Sequence, residues 1–163
     1  MDKAPSAEMA TFAAGCFWGI EVAFRRVPGV TATRVGYSGG GDPNPSYEIV
    51  CSGQTEHAEA VEVTFDPARI GYDDLLEVFW AVHDPTQRDR QGYYVGSQYR
   101  SAIFTHSPEQ EAAARASMAR LTAANTYPGE IVTEIVTAGP FHMGEDYHQQ
   151  YMEKRGQRAG RLF

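Results

Sequence analysis

Val61-Glu62-Val63-Thr64-Phe65 alternates apolar and polar side chains, the two-residue period of a strand with one face turned to a core. The same alternation runs through Ile131 to Thr137. Strands of a parallel sheet covered on both faces read instead as near-continuous apolar runs. The pattern therefore predicts an α+β chain, a two-layer sandwich with helices packed on a sheet whose other face is exposed, rather than a doubly wound parallel sheet.

The flanking sequence supplies the remaining elements. Glu8 to Ala13 predicts a first strand, Ile20 to Arg26 a helix stopped by Pro28-Gly29, and Val30 to Tyr37 a second strand. Ser38 to Pro45 is a run of turn residues. Asp73 or Asp74 caps a helix carrying Leu75, Leu76, Val78, Phe79 and Val82, which ends before Pro85. Asp84 to Gln98 reads as a long loop and Tyr99 to Thr105 as a strand. Ser107-Pro108-Glu109 is a helix start, with Ala112, Ala116, Ala119 and Ala123 at helical intervals behind it. Glu145 to Arg155 predicts a last helix before a short, basic, glycine-containing tail. With no linker or repeat, residues 1–163 are expected to form one domain with its core at about 8–155.

Apolar residues make up 42% and charged residues 21% of the chain, a globular composition. A net charge of −7 without a basic stripe argues against nucleic acid and anionic membranes as partners. Met1 to Ala10 lacks the apolar centre of a signal peptide, and only Cys16 and Cys51 carry thiols, so a reducing, cytoplasmic setting is expected. The acidic surface and short tail suggest a monomer.

Gly15-Cys16-Phe17-Trp18-Gly19 carries the chemistry. A lone cysteine is more often a small buried apolar residue than a nucleophile. Here it sits at a strand-to-helix junction, where free N–H groups and the helix dipole favour a thiolate, and two large aromatics adjoin it. His57 and Glu59, two apart at the start of a strand, share one sheet face, and a carboxyl facing an apolar pocket acts as an acid at neutral pH. Tyr47, Tyr93, Tyr94, Tyr99, Tyr147 and Tyr151 supply ring surfaces with hydroxyl donors. Gly39 to Gly41 lacks the ending of a phosphate loop, and Glu145 to His148 lacks the second copy that a di-iron site requires, so no metal is expected.

In this order the motifs resemble the A-type peptide methionine sulfoxide reductases, from about Phe12 to Lys154. They are Gly15 to Gly19, Gly36-Tyr37-Ser38-Gly39-Gly40, Pro45-Ser46-Tyr47, Cys51-Ser52-Gly53, His57 to Val61, His83-Asp84-Pro85-Thr86, Gly96 to Ser101 and Glu145 to Tyr151. The resemblance implies a mixed sheet similar to the ferredoxin-like fold. It also implies repair of oxidised proteins, by reduction of the S epimer of free or protein-bound methionine sulfoxide. Carried over by position, Cys16 resembles the nucleophile, Glu59 the proton donor, and Tyr47 and Tyr99 the hydroxyls that hold the sulfoxide oxygen. Phe17 and Trp18 resemble the walls that receive the methyl group, and Tyr94, His148 and Tyr151 complete the substrate site. No bound cofactor is implied. The external reductant is glutathione with glutaredoxin, or thioredoxin.

Two departures stand out. The family's aspartate before Val-Gly-Thr/Ser-Gln-Tyr is Tyr94 here, which predicts slower turnover, because a carboxylate contact is lost and a ring must be housed. The tail has no cysteine, so a sulfenic acid on Cys16 is expected to meet an external thiol, with Cys51 buried. A binding or sensing protein that kept the pocket, and a thiol peroxidase using Cys16, are the other classes these residues allow.

Overall fold

The computed structural model describes residues 7–53 and 55–154; the polar segment before residue 7, Arg155 and the basic tail lie outside them. The chain runs β1 (Glu8–Ala14), α1 (Phe17–Arg25), β2 (Val30–Ser38), α2 (Tyr47–Cys51), β3 (Ala58–Phe65), α3 (Tyr72–Ala81), β4 (Arg90–Gln91), β5 (Tyr94–Val95), β6 (Ser101–Thr105), α4 (Pro108–Ala123), β7 (Glu134–Thr137), β8 (His142–Met143) and α5 (Tyr151–Lys154). Short 3-10 turns at Ser97–Tyr99 and Asp146–His148 complete it.

Among the described residues one six-stranded sheet has the order β7-β6-β1-β3-β2-β8, and β4 pairs with β5 separately. β3 runs antiparallel to both β1 and β2, and β1 antiparallel to β6. Each helical crossover, β1-α1-β2 and β3-α3-β6, thus joins two parallel strands that flank a third. Two such interleaved split units make the expected ferredoxin-like arrangement. α4 then adds β7 parallel to β6 at one edge, and β8 pairs with β2 at the other.

The alternating side chains of β3 explain the two layers. Val61, Val63 and Phe65 enter the main core with Phe12, Phe24, Leu75, Leu76 and Phe79, all of them at most 1% exposed. Phe12 stacks on Phe24 at 5.1 Å and on Phe79 at 5.3 Å, joining strand to helices. The opposite face is not bare as the alternation suggested. Ala13, Ala58, Ala60, Ala102 and Phe104 form a second buried cluster under Ala138 and Phe141. Glu62 on that face is buried against Arg34 at 2.5 Å. Gly36 lets β8 come close, since a β-carbon there would stand 2.2 Å from the His142 carbonyl oxygen.

Three local readings are corrected. The alanine stripe of α4 faces solvent; its core side carries Gln110, Ala114 and Ser117, whose hydroxyl accepts the Trp80 indole N–H at 2.8 Å. Residues 84–98 contain the β4–β5 hairpin, turned at Gly92 with φ 58°. Its two pairs are too short and too exposed to show a period. Finally, among the described residues Glu145 to Lys154 is not one helix. Gln149 sends its side chain to Val35, accepting its N–H at 2.9 Å and donating to its carbonyl at 2.8 Å. Gln150, at φ 49°, donates backbone and side-chain N–H groups to Glu21 at 2.8 Å each. These bonds to β2 and α1 outcompete the helical ladder at that point.

Candidate active site

Gly15, at φ +104°, turns the chain out of β1 where a β-carbon would meet Gln91 at 3.0 Å. That turn makes Cys16 the N-cap of α1, with extended backbone angles and a partly exposed side chain. The N–H groups of Trp18 and Gly19 favour its anion, and so does the Tyr94 hydroxyl. Burial, followed by the Glu59 charge, outweighs them and pushes the thiol up to about 11. The helix terminus therefore does not produce a resting thiolate, a correction to the sequence reading. Protonation of Glu59 removes one of the two opposing causes.

Glu59 on β3 is 1% exposed. Its Oε1 accepts the Phe17 N–H at 3.2 Å, while Oε2 is buried with no hydrogen-bond partner among the described residues. Burial pushes this carboxyl up to about 8, so it carries a proton at neutral pH. An unsatisfied buried carboxyl oxygen is costly and is characteristic of a site built to meet a ligand.

Tyr47 opens α2 and Tyr99 closes the Ser97–Tyr99 turn, outside the strand predicted for it. Burial, chiefly, pushes both phenols well above their usual range, and the Glu59 charge acts on both in the same direction. Both phenols thus stay protonated, as donors, within range of the Glu59 charge. Their hydroxyls are also the partners of the Cys51 thiol. Cys51 is exposed rather than buried as expected, because it ends the short helix that Tyr47 begins.

Trp18 stands beside the sulfur, half-buried. Its indole stacks on Tyr151 at 3.8 Å with 7° between planes and donates Nε1–H to His148 Nδ1 at 2.9 Å. His148 is 0% exposed, which puts it behind Trp18 rather than at the surface a substrate reaches. Its proton must lie on Nε2, since Nδ1 accepts, and burial depresses its basicity so the ring stays neutral. Phe17 is likewise buried, its ring 5.8 Å from Tyr37 and 5.1 Å from His148, and it meets the site through its backbone N–H.

Tyr94 requires no internal space. It is 50% exposed at the hairpin, tilted against Tyr99 at 5.1 Å, with its hydroxyl toward Cys16. His57 does not join the site. Its Nδ1 accepts the Gly40 N–H at 3.0 Å and its Nε2 bonds the Asp42 carbonyl at 2.7 Å, clipping down the glycine loop. Sequence reasoning missed Glu145, which accepts the Tyr37 hydroxyl at 2.7 Å and the Tyr47 N–H at 2.9 Å and so fixes the start of α2. Its signal was present, as the acid opening the last motif, but it was read as a helix start.

Comparison with known proteins gives the site a context. The sequence model of peptide methionine sulfoxide reductase matches residues 8–162. The chain is similar to peptide methionine sulfoxide reductase MsrA of Geobacter metallireducens, 58% identical over 156 residues, covering 96% of each. Among solved structures it resembles methionine sulfoxide reductase A of Corynebacterium diphtheriae, with TM-score 0.82 and 42% identity over 94% of this chain and 77% of that one. It also resembles reduced Mxr1 of Saccharomyces cerevisiae, with TM-score 0.87 and 31% identity over 97% and 91% of the two chains. Mxr1 has in addition been solved in complex with Trx2.

Proposed function

Because the chain belongs to the peptide methionine sulfoxide reductase family, a family of oxidoreductases, we propose that Cys16 attacks the sulfur of methionine S-sulfoxide and takes its oxygen. The observation that carries this reading is the protonated Glu59 carboxyl, its Oε2 buried without a partner among the described residues and near enough to the Cys16 thiol for its charge to act on it. A sulfoxide has an electrophilic sulfur and a poorly leaving oxygen. Protonation by Glu59, with hydrogen bonds from Tyr47 and Tyr99, turns that oxygen into one that can transfer. As the Glu59 proton passes to the oxygen, the thiol proton passes to the carboxylate left behind, and the sulfur anion is met by the N–H groups of Trp18 and Gly19 and by Tyr94.

The step balances. A thiol and a sulfoxide become a sulfenic acid and a thioether; the Cys16 sulfur is oxidised by two electrons and the substrate sulfur is reduced by two. Trp18 offers the apolar surface for the methyl group, and His148 and Tyr151 hold the indole in place. An external thiol then restores Cys16. Glutathione with glutaredoxin fits the missing tail cysteine, and a thioredoxin-type protein fits the Mxr1–Trx2 complex. The reading extends to one catalytic domain working as a cytoplasmic monomer, supported by the acidic net charge and two thiols. No helix among the described residues is long and apolar enough to cross a membrane.

An epimer-resolved assay with dithiothreitol tests the function. Many methionines per enzyme from the S epimer and almost none from the R epimer are expected. Equal rates, or binding without product, would contradict it. Tyr94→Asp tests the local electrostatics. A carboxylate beside the sulfur raises the thiol further, so turnover at pH 7 should fall by roughly three- to tenfold. This reverses the sign expected from the sequence, because the tyrosine ring costs the fold no internal space and its hydroxyl favours the anion. A faster variant would restore the earlier view.

A further inference from the structure

The β4–β5 hairpin that carries Tyr94 has strands of two residues each and is exposed at Tyr93, Tyr94 and Val95. So short a ribbon does not hold its own shape in water, and packing alone does not fix where the Tyr94 hydroxyl stands. Its cross-strand partner is Gln91. The Gln91 amide grips the backbone of Asp84 twice, accepting its N–H at 2.9 Å and donating to its carbonyl at 2.5 Å. Asp84 is a firm anchor. Ahead of it, His83 donates Nδ1–H to the Phe79 carbonyl and accepts the Ser101 hydroxyl at Nε2, both at 2.7 Å. Behind it, the carbonyl of the buried Pro85 accepts the Val132 N–H at 2.8 Å. The Asp84 carboxylate itself accepts the Thr86 N–H at 2.9 Å and the Thr86 hydroxyl at 2.6 Å. The stem of Gln91 meanwhile lies on the turn before the nucleophile, its β- and γ-carbons 3.0 Å from where a β-carbon on Gly15 would stand.

On the reading of Cys16 as the nucleophile, we propose that Gln91 is a positioning residue: it clamps the β4–β5 hairpin between the Asp84 backbone and the Gly15 turn, and so holds the Tyr94 hydroxyl at the Cys16 sulfur. A side-chain amide suits this task. One planar group offers a donor and an acceptor side by side, as a neighbouring strand does, and so fixes orientation as well as distance. A carboxylate of the same length can only accept, and a thioether of the same length makes neither bond well. The bond at the hairpin tip does different work. There the Gly92 N–H is accepted by Gln87 Oε1 at 2.8 Å, which ties the loop to itself and not to the nucleophile's turn. Gln91 acts through Tyr94, whose hydroxyl is among the groups that favour the sulfur anion and whose ring leans on Tyr99 at 5.1 Å. The clamp therefore bears on the nucleophile first and on the oxygen-holding tyrosine through that ring contact.

A double-mutant cycle tests the clamp without any sulfoxide. Gln91→Met keeps the stem and loses both amide bonds, Tyr94→Phe loses only the hydroxyl, and the third variant combines them. The rate of Cys16 alkylation by iodoacetamide is followed at pH 8, with mass analysis separating adducts on Cys16 from those on Cys51. That rate tracks the fraction of thiolate. Tyr94→Phe should slow it by roughly three- to tenfold, the worth of one hydrogen bond to an anion at a half-exposed position. Gln91→Met should slow it by about the same factor, and the double variant should be no slower than either, because the hydroxyl can be lost only once. Gln87→Met, which frees the tip alone, should stay within about twofold of the unaltered protein. Gln91→Asn, its amide drawn back by one methylene, should also be slowed, and it decides the matter if Gln91→Met does not fold. Unchanged alkylation in the Gln91 variants would overturn the proposal. So would losses that multiply in the double variant, which would make Gln91 independent of Tyr94, or an equal loss in Gln87→Met, which would reduce the clamp to general stiffening of the loop. Single-turnover methionine formation should fall in step with alkylation. If the unaltered protein formed no methionine, the reading of Cys16 as oxygen acceptor would fail, while the alkylation cycle would still decide whether Gln91 places Tyr94.

Discussion

Cys16→Ser is expected to lose sulfoxide reduction by roughly four orders of magnitude, or to the floor of the assay, while becoming slightly more stable than the unaltered protein. The two halves of that expectation have different origins. A hydroxyl at position 16 is far harder to ionise than a thiol and its oxygen cannot accept the sulfoxide oxygen to form a sulfenic acid. Yet position 16 is the N-cap of α1, with free N–H groups ahead of it, and serine is among the best N-cap residues. A gain of about 0.5–1 kcal/mol is therefore predicted for thermal unfolding. Cysteine at this position is a local concession of stability to chemistry. A variant that unfolded readily, or one that kept substantial turnover, would contradict the account.

Glu59→Gln has the second largest expected effect, and it acts on activity and stability in opposite directions. Loss of the proton donor should lower single-turnover methionine formation by about 10²- to 10³-fold at neutral pH. In the unaltered protein the same rate should fall as pH rises through about 8, where Glu59 ionises, and the glutamine variant should lack that limb. The linkage sign follows from the upward shift. The folded carboxyl stays protonated to about 8, whereas the unfolded one ionises near its ordinary value of 4.5. Between those values the unfolded state sheds a proton that the native state keeps, so stability declines with rising pH and levels off above about 8. The full shift corresponds to about 5 kcal/mol, a cost the neutral amide does not carry. Glu59→Gln should thus raise the melting temperature more at pH 9 than at pH 4. An equal change at the two pH values would mean that the carboxyl is not held neutral by burial.

Much of this was legible in the sequence, for identifiable reasons. β3 and the helix start at Ser107 declared themselves because period and caps are local properties, whereas α3 begins at Tyr72 with Gly71 as its N-cap, so Asp73 and Asp74 lie in its first turn instead of capping it, and Asp74 accepts the Gly71 N–H. Cys16, Glu59, Tyr47 and Tyr99 were found through their motifs, and the fold does bring them to one place. What was not legible depends on partners distant in the chain. Glu145 meets Tyr37 and Tyr47 from more than 90 residues away, and Gln149 spends its amide on Val35, so the last motif reads as helical until those bonds are known. His148 had the right residue type but the wrong position, since its burial behind Trp18 appears only once the tail is laid over α1. The alanine face of α4 misled for a simpler reason: alanine favours helix anywhere, and the contact with Trp80 is made through a serine.

The thiolate expectation failed for a physical cause worth separating from the rest. Helix-terminal N–H groups do favour the Cys16 anion, but the loss of water, followed by the Glu59 charge, acts more strongly. With Glu59 protonated at neutral pH, burial is the chief cause that keeps Cys16 a thiol, and in the proposed reaction the sulfur gives up its proton only as the Glu59 proton passes to the sulfoxide oxygen, which ties its ionisation to substrate arrival. Such coupling keeps a reactive sulfur quiet when no substrate is present.

The most direct measurement is a single turnover without reductant, with one equivalent of methionine S-sulfoxide and mass analysis of the protein. The account predicts one methionine per protein and one added oxygen atom, located on Cys16 and trapped by a sulfenic-acid reagent, with Cys51 unmodified. Methionine formed without that oxygen, a disulfide between Cys16 and Cys51, or equal yield from Cys16→Ser would contradict it.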